Sequence, residues 1–314
     1  MIKTFFKRLT WIVVVGVCLA SFLPHIFTEY WLLDLFTHFK VQYAVLSLLL
    51  LVTMFLTRYH KKGIIGLLLI SLIWNCFFII PYYFNNHDLK AAHTSDVSVL
   101  SINLLSSNTD YKSVGTYLEK TNADVVVLLE FNQKWAKQLQ PVLNGYMYKK
   151  LVPRSDNFGI ALFSKIPMDL EELTFNSSDT PSIRGNFKVE KESVTIVATH
   201  PIPPISQAAF HRRNQQLNAI IENKHTFQEN LIVIGDFNMS SFSPHFMSLT
   251  AGKLYDTRVG FGLLPTWPAS IKLLQTTLDH CLVSKNINIM ERTVGENIGS
   301  DHLPVFVKLN ITTN

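Results

Sequence analysis

Gly235-Asp236-Phe237-Asn238 and Ser300-Asp301-His302 each set acidic and hydrogen-bonding side chains beside an apolar run. Glu130 ends a third such run, and Asn103, His200 and Asp279 fall at or near the ends of others. A hard cation such as magnesium takes carboxylate and carbonyl oxygens as ligands. Glu130 and Asp301 supply charge for such a site, and Asn103 a neutral oxygen. Asp236 and Asn238 stand two apart, so in an extended segment their side chains share a face. An acceptor and an amide so placed can hold a water for in-line attack on phosphorus. His302 and His200 can donate to a phosphoryl oxygen or stabilise its growing charge. Asp279 can orient one of these imidazoles. Together these residues read as the parts of a metal-assisted site that cleaves phosphoesters.

Groups so far apart in the chain must be gathered by strand ends, where ligands meet α/β proteins. Val97–Asn103 alternates as a strand does. Asp124–Glu130 (DVVVLLE) is a continuous apolar run, typical of a strand buried on both faces. Gly159–Lys165, Ser193–His200, Leu231–Asn238, Thr277–Ser284 and Leu303–Ile311 follow as strands. Asp110 is placed to cap a helix through Val114 and Leu118, and Ser206–Lys224 reads as a helix with Phe210, Leu217, Ile220 and Ile221 on its apolar side. With no glycine-rich nucleotide loop, the pattern predicts a layered α/β domain, two sheets face to face with helices outside. Several polar residues take structural readings. His211, Arg212 and Arg213 read as a solvated helix face, Arg184 as structural, and His280 as turned away from Asp279 by strand alternation. Thr266 and Trp267 either line the pocket or sit in the core.

The chain ahead of this domain is of another kind. Trp11–Phe27 and Val41–Leu56 are apolar stretches near the lower limit for spanning a bilayer, roughly 17 residues, and Ile64–Phe84 is comfortably long. No small-x-small cleavage site follows the first, so it reads as a retained span and not a signal peptide. Lys3, Lys7 and Arg8 precede the first stretch, and Arg58, Lys61 and Lys62 separate the second from the third. The positive-inside rule puts both groups in the cytoplasm and the residues after Phe84 on the far side. The expected organisation is a membrane anchor of three helices over 1–84, a polar linker over 85–95 and a catalytic domain over 96–314.

The net charge of +5 belongs to the anchor, because residues 1–84 hold seven Lys/Arg and two acids. The remaining 21 bases and 21 acids balance. Nonspecific binding of long nucleic acid usually needs a basic footprint, so the neutral domain argues against a nuclease without removing it. Of the three cysteines, Cys18 and Cys76 lie in apolar stretches, which leaves Cys281 without a disulfide partner in the domain.

These pieces, in order, resemble the endonuclease/exonuclease/phosphatase superfamily, which includes pancreatic deoxyribonuclease, AP endonucleases, bacterial neutral sphingomyelinases and inositol polyphosphate 5-phosphatases. The resemblance rests on Ser101-Ile102-Asn103, Leu129-Glu130, Gly159-Ile160-Ala161-Leu162-Phe163-Ser164-Lys165, Thr199-His200-Pro201, Gly235-Asp236-Phe237-Asn238, Pro265-Thr266-Trp267, Leu278-Asp279-His280 and Ser300-Asp301-His302. It covers almost all of 96–310. It implies a four-layer α/β sandwich and a divalent-metal hydrolase using Mg2+ or Mn2+. Glu130 is then the main metal carboxylate, with Asn103 beside it. Asp301 serves the metal or the water. Asp236 aligns or deprotonates the water with Asn238 alongside, and His302, held by Asp279, and His200 contact phosphate. One-metal and two-metal schemes both use these residues. Arg154-Ser155-Asp156-Asn157 stands where AP endonucleases carry a phosphate-contacting tyrosine, which argues against abasic-site repair.

The expected protein is an integral membrane phosphoesterase, of the bacterial inner-membrane kind, with its catalytic domain periplasmic. Its expected partners are a phosphate-ester substrate, lipid or nucleic acid, and the bilayer; the sequence implies no protein partner. Tethering favours lipid headgroups or lipid-linked phosphates. The rivals are an extracytoplasmic nuclease on DNA or RNA, and a tethered binding domain that has lost catalysis.

Overall fold

In lipid, a helix satisfies every backbone group within one segment, and the uncharged Leu, Ile, Val and Phe runs of the N-terminal region adopt that form. The computed structural model describes residues 2–58, 61–84, 96–176, 178–251 and 254–311. Helix α1 covers Ile2–Ile26, the short α2 Trp31–Phe36, α3 Lys40–Leu56 and α4 Lys62–Ile79. The segments long and apolar enough to cross a membrane are Arg8–Ile26, Trp31–Leu56 and Lys62–Tyr83. The second exceeds the expected Val41–Leu56, because α2 and one 3-10 turn, Thr37–Phe39, run on into α3. The expected linker at 85–95 lies outside the described residues.

Val14, Met54, Ile64 and Leu68 pack one half of this bundle. The other half is held by polar contacts. Asn75 Nδ2 donates to Ser21 Oγ at 2.9 Å, while Lys40 Nζ and Trp74 Nε1 donate to Ser21 O at 3.0 and 2.9 Å. Asn75 is therefore a helix–helix contact of the kind that glues membrane helices. The start of α1 and the turn between α3 and α4 share one end of the bundle. Residues 27–40 and 80–84 form the other.

The C-terminal region docks on that second end. Gly260 and Gly262 donate their N–H groups to Tyr82 O at 3.0 and 2.8 Å, and Gln42 Nε2 donates to Leu273 O at 2.9 Å. A buried ion pair joins Arg213 Nη2 to Asp34 Oδ2 at 2.9 Å, and Ser243 Oγ donates to Asp34 Oδ1 at 2.5 Å.

The elements of this region are β1 Asp96–Asn103, α5 Tyr111–Thr121, β2 Val125–Leu129, α6 Gln133–Leu143, β3 Tyr148–Val152, β4 Ile160–Ser164, β5 Met168–Leu173, β6 Ser182–Val189, β7 Glu192–Thr199, α7 Gln207–Glu222, β8 Asn230–Asp236, α8 Pro244–Thr250, β9 Tyr255–Asp256, β10 Asp279–Val283, β11 Ile287–Val294 and β12 Val305–Ile311. Asp110 and Ser206 cap α5 and α7 by accepting from Ser113 N and Ala209 N at 3.0 and 3.2 Å.

Two six-stranded mixed sheets form, in the orders β11-β12-β1-β2-β4-β3 and β5-β6-β7-β8-β10-β9. Their inner faces bury Val99, Val125, Val127, Ile196, Ile232 and Ile234 against one another. Outside, Val114, Leu118 and Trp135 of α5 and α6 cover the first sheet, and Leu217, Ile220 and Phe246 of α7 and α8 cover the second. This is the four-layer α/β sandwich. Each fully buried Leu, Ile or Val contributes about 1.5–3 kcal/mol, so both faces of a run such as β2 must be apolar.

Each sheet has a parallel pair near its centre, β1 with β2 and β7 with β8. The carboxyl ends of these four strands meet at one rim. Two glycines allow the close approach there. A Cβ on Gly235, whose φ is +146°, would collide with Thr199 O at the end of β7. A Cβ on Gly159 would strike Phe131 O just past β2.

Candidate active site

Asn103 ends β1, Glu130 follows β2, His200 follows β7 and Asp236 ends β8. Asp279 begins β10 opposite Asp236 in an antiparallel pair, so their side chains lie on the same face. Asp301 and His302 belong to the loop between β11 and β12. Ser300 fixes that loop: its Oγ donates to Asn103 O at 2.7 Å and accepts from His302 N at 3.1 Å.

Glu130, His200, Asp236, Asn238, Asp301 and His302 line one cavity of about 610 Å3. Asn103 and Asp279 stand directly behind them. Asn103 Nδ2 reaches Glu130 Oε1 at 3.4 Å and Asp236 Oδ2 at 3.2 Å. Its Oδ1 accepts from Leu105 N at 3.0 Å, so the amide must turn over before it can offer a cation an oxygen. Glu130 adopts φ +55°, a left-handed conformation uncommon for a non-glycine residue. Ser106 N holds it there, donating to Oε2 at 2.8 Å.

The imidazoles flank Asp236. His200 Nε2 lies 3.6 Å and His302 Nε2 3.5 Å from Asp236 Oδ2. His302 Nδ1 donates to Asp279 Oδ2 at 2.8 Å, which fixes its ring. Burial disfavours the imidazolium of His302, but the Asp279 and Asp236 carboxylates outweigh it and push its pKa up to about 10. Burial likewise opposes the Asp279 carboxylate, yet His302 holds it below the usual range. Burial lifts Asp236 above that range against the pull of His302, with Asp279 adding to the rise. Burial also lowers the pKa of His200, so the two imidazoles shift in opposite directions.

Asp236 and Asn238 both face the cavity, but not by strand alternation. β8 stops at Asp236, and Asn238 adopts φ +49°. Asn238 N donates to Asp236 Oδ1 at 2.8 Å and its Nδ2 to Pro201 O at 3.0 Å. The side chain of Asn238 thus braces the His200 turn.

Two acidic groupings could take a cation. Asp236, Asp279 and His302 offer ligand atoms within 4.8 Å of one another. Within that group, His302 Nδ1 already donates to Asp279 Oδ2 at 2.8 Å. Glu130 and Asp301 line the same cavity. Asp301 Oδ1 is buried with no hydrogen-bond partner, while Oδ2 accepts from Trp267 Nε1 at 3.1 Å. An unpaired carboxylate oxygen in a wall of carboxylates fits an oxygen-seeking cation.

Trp267 lines the cavity, whereas Thr266 is buried and accepts from Leu278 N and Asp279 N at 3.4 and 3.3 Å. His280 points away, its Nε2 on Met239 O at 2.7 Å and its Nδ1 on Arg258 Nη2 at 3.0 Å. Arg184 pairs with Glu171 at the surface. Arg154 and Asp156 pair at 2.6 Å beside the cavity mouth. The expected solvated face on α7 is corrected at Arg213, which is fully buried. Arg213 Nη1 also donates to Asn238 O at 2.9 Å. Sequence reasoning missed Leu35 and His38, which reach the cavity wall from the N-terminal helical bundle. The available signal was Asp34, an isolated acid in an apolar stretch.

A model described as the Endonuclease/Exonuclease/phosphatase family matches residues 74–302. No curated protein matches the chain. D. rerio TDP2 complexed with a single-strand DNA product is 17% identical, covering 69% of this chain and 99% of that one, with a TM-score of 0.58. The human Nocturnin catalytic domain with bound sulfate is 18% identical, covering 69% and 95%, with a TM-score of 0.56. A Bacteroides thetaiotaomicron protein of the same family is 20% identical, covering 71% and 100%, with a TM-score of 0.56. These likenesses are of fold.

Proposed function

As the chain belongs to the endonuclease/exonuclease/phosphatase family, we propose that it is a membrane-anchored, divalent-metal-dependent phosphoesterase. The convergence of Glu130, Asp236, Asp301, His200 and His302 on one cavity carries this reading. Glu130 and Asp301, with Asn103 turned, would hold Mg2+ or Mn2+. A bound dication neutralises phosphoryl oxygens and favours in-line displacement. Asp236 aligns the attacking water and takes its proton. Asn238 braces the turn that carries His200. Cationic His302, oriented by Asp279, donates from Nε2 to a phosphoryl oxygen, and His200 contacts the same group. Water oxygen bonds to phosphorus, the ester P–O bond breaks, the departing alkoxide takes a proton from solvent water, and Asp236 returns the proton it took to solvent.

Topology follows from charge. Lys3, Lys7, Arg8, Arg58, Lys61 and Lys62 belong to the bundle end away from the docked domain. The positive-inside rule then makes the catalytic domain extracytoplasmic. Leu35 and His38 in the cavity wall favour a phosphoester at the bilayer over long nucleic acid.

The deciding experiment is hydrolysis of phospholipids, sphingomyelin, phosphoinositides, DNA and RNA by the full-length protein, with Mg2+ and with chelator. Metal-dependent release from any of them, lost in Asp236→Ala and His302→Ala variants that remain folded, is the expected result. Equal rates in parent and variants on every substrate overturn it.

A further inference from the structure

A second cavity, of about 620 Å3, meets the catalytic cavity at His38, which lines both. One wall is a face of α3 that includes Val45, Leu46 and Leu49. The other includes Leu264, Leu273 and Leu274, from the segment that carries Trp267. The Gln42–Leu273 hydrogen bond ties the two walls together.

The groove belongs to the depth of the bilayer. Its α3 wall lies within the Trp31–Leu56 span. From Val41 to Leu49 a helix rises about 12 Å, most of one leaflet of a hydrocarbon core ~30 Å thick. The facing segment suits the same medium. Leu273 is 79% exposed and Ile271 50%, an arrangement that water disfavours and acyl chains accept. One end of the groove opens on phosphoester chemistry, and its length lies along lipid tails.

We infer that the substrate is an amphiphilic phosphoester, a membrane lipid whose acyl chain lies between α3 and residues 263–277 while its phosphate occupies the catalytic cavity. This rests on the phosphoesterase reading of that cavity. Lifting a chain into water costs about 0.8 kcal/mol per methylene, equivalent to roughly a fourfold penalty each. A tail that slides from the leaflet into an apolar groove avoids that penalty, because the two media are alike. The groove therefore contributes position: it sets the depth of the phosphate against Asp236 and His302. The bond change is the hydrolysis already described, with water as co-reactant.

The test uses full-length protein in nanodiscs and two groove-filling variants, Leu46→Trp and Leu274→Trp. Three substrates are compared: phosphatidylglycerol with C16 chains, the same headgroup with C4 chains, and bis(p-nitrophenyl) phosphate. The variants are expected to lose at least tenfold in kcat/KM on the C16 lipid and less than twofold on the two soluble esters. Equal losses on all three, or none on the C16 lipid, overturn the inference. A second measurement needs no turnover. Phosphatidylcholine bearing a photoactivatable group at the chain end should cross-link to α3 and residues 263–277 in the parent and less in the variants. Cross-links spread evenly over the bundle, or a co-purifying protein cross-linked at the groove in place of lipid, also overturn it. If the parent hydrolyses no phosphoester, the activity reading fails while the cross-linking result still judges the groove.

Discussion

Arg213 and Asp34 are bonded at 2.9 Å with both side chains buried, and they join α7 to α2, which opens the second long apolar segment. Arg213 reaches on to Asn238 O, so one guanidinium touches both the anchor and the catalytic rim. Removing one partner leaves a buried charge alone. Arg213→Met and Asp34→Leu should each lower stability by about 3–5 kcal/mol, measured by chemical unfolding in detergent micelles. The double variant should recover most of that loss, because no charge is stranded. Additive losses would show that the pair is not coupled.

His302 depends on Asp279 for its orientation and its charge. Asp279→Asn keeps the shape and removes the charge. Turnover should fall by about 10²–10⁴-fold, the scale of a mispositioned acid–base group, with KM moving far less. Steady-state kinetics on whichever phosphoester the parent cleaves will read this.

Glu130→Gln and Asp301→Asn should weaken Mg2+ binding by at least about tenfold, since each removes a full charge from an oxygen site. Calorimetric titration of the unliganded protein reports it without reliance on turnover. Unchanged affinity in both would move the cation to the Asp236, Asp279 and His302 group.

His280 sets a pH dependence of stability. Burial, with Arg258 beside it, pushes its pKa down to about 3, and Asp256 and Asp279 only partly oppose this. Its Nε2–H faces Met239 O and its Nδ1 accepts from Arg258, so no position is left for a second proton. Unfolded, it titrates near 6.5. Its stabilising contribution is therefore present above 6.5 and declines as pH falls toward 3, by up to about 1.4 kcal/mol per pH unit. His280→Gln should flatten the melting temperature between pH 4 and 6. Asp256 acts lower, because Arg258 overcomes its burial and depresses its pKa below 3.8.

Gly235→Ala should destabilise the domain by about 1–3 kcal/mol and reduce activity at the same time. The methyl forces β8 away from Thr199 O and so shifts Asp236 relative to His200. Thermal melts and kinetics on one preparation test both effects.

Most central strands were legible because burial on both faces demands an unbroken apolar run such as Val125–Leu129, but the interior β6 was not, since Arg184, Gly185, Asn186 and Lys188 interrupt its apolar pattern. The edge strands β3, β5, β9 and β11 were not, because edges carry charges such as Lys149, Glu171 and Glu291 that blur alternation. Asp236 and Glu130 were legible as carboxylates at strand ends, and His302 as an imidazole just before a strand. The geometry of Asn238 was not, since a left-handed residue obeys no period. Arg213 was misread because its neighbours His211 and Arg212 share its polarity, while its partner lies in another part of the chain.

Asp34, Gln42 and the carbonyl of Tyr82 hold the domain at three points on one end of the bundle. Such a domain does not swing on its tether. Under the proposed membrane anchoring, its reach is a thin two-dimensional shell, and successive encounters arrive by lateral diffusion without desorption. Rate should then follow the surface mole fraction of target, so adding inert lipid at constant bulk amount slows the reaction.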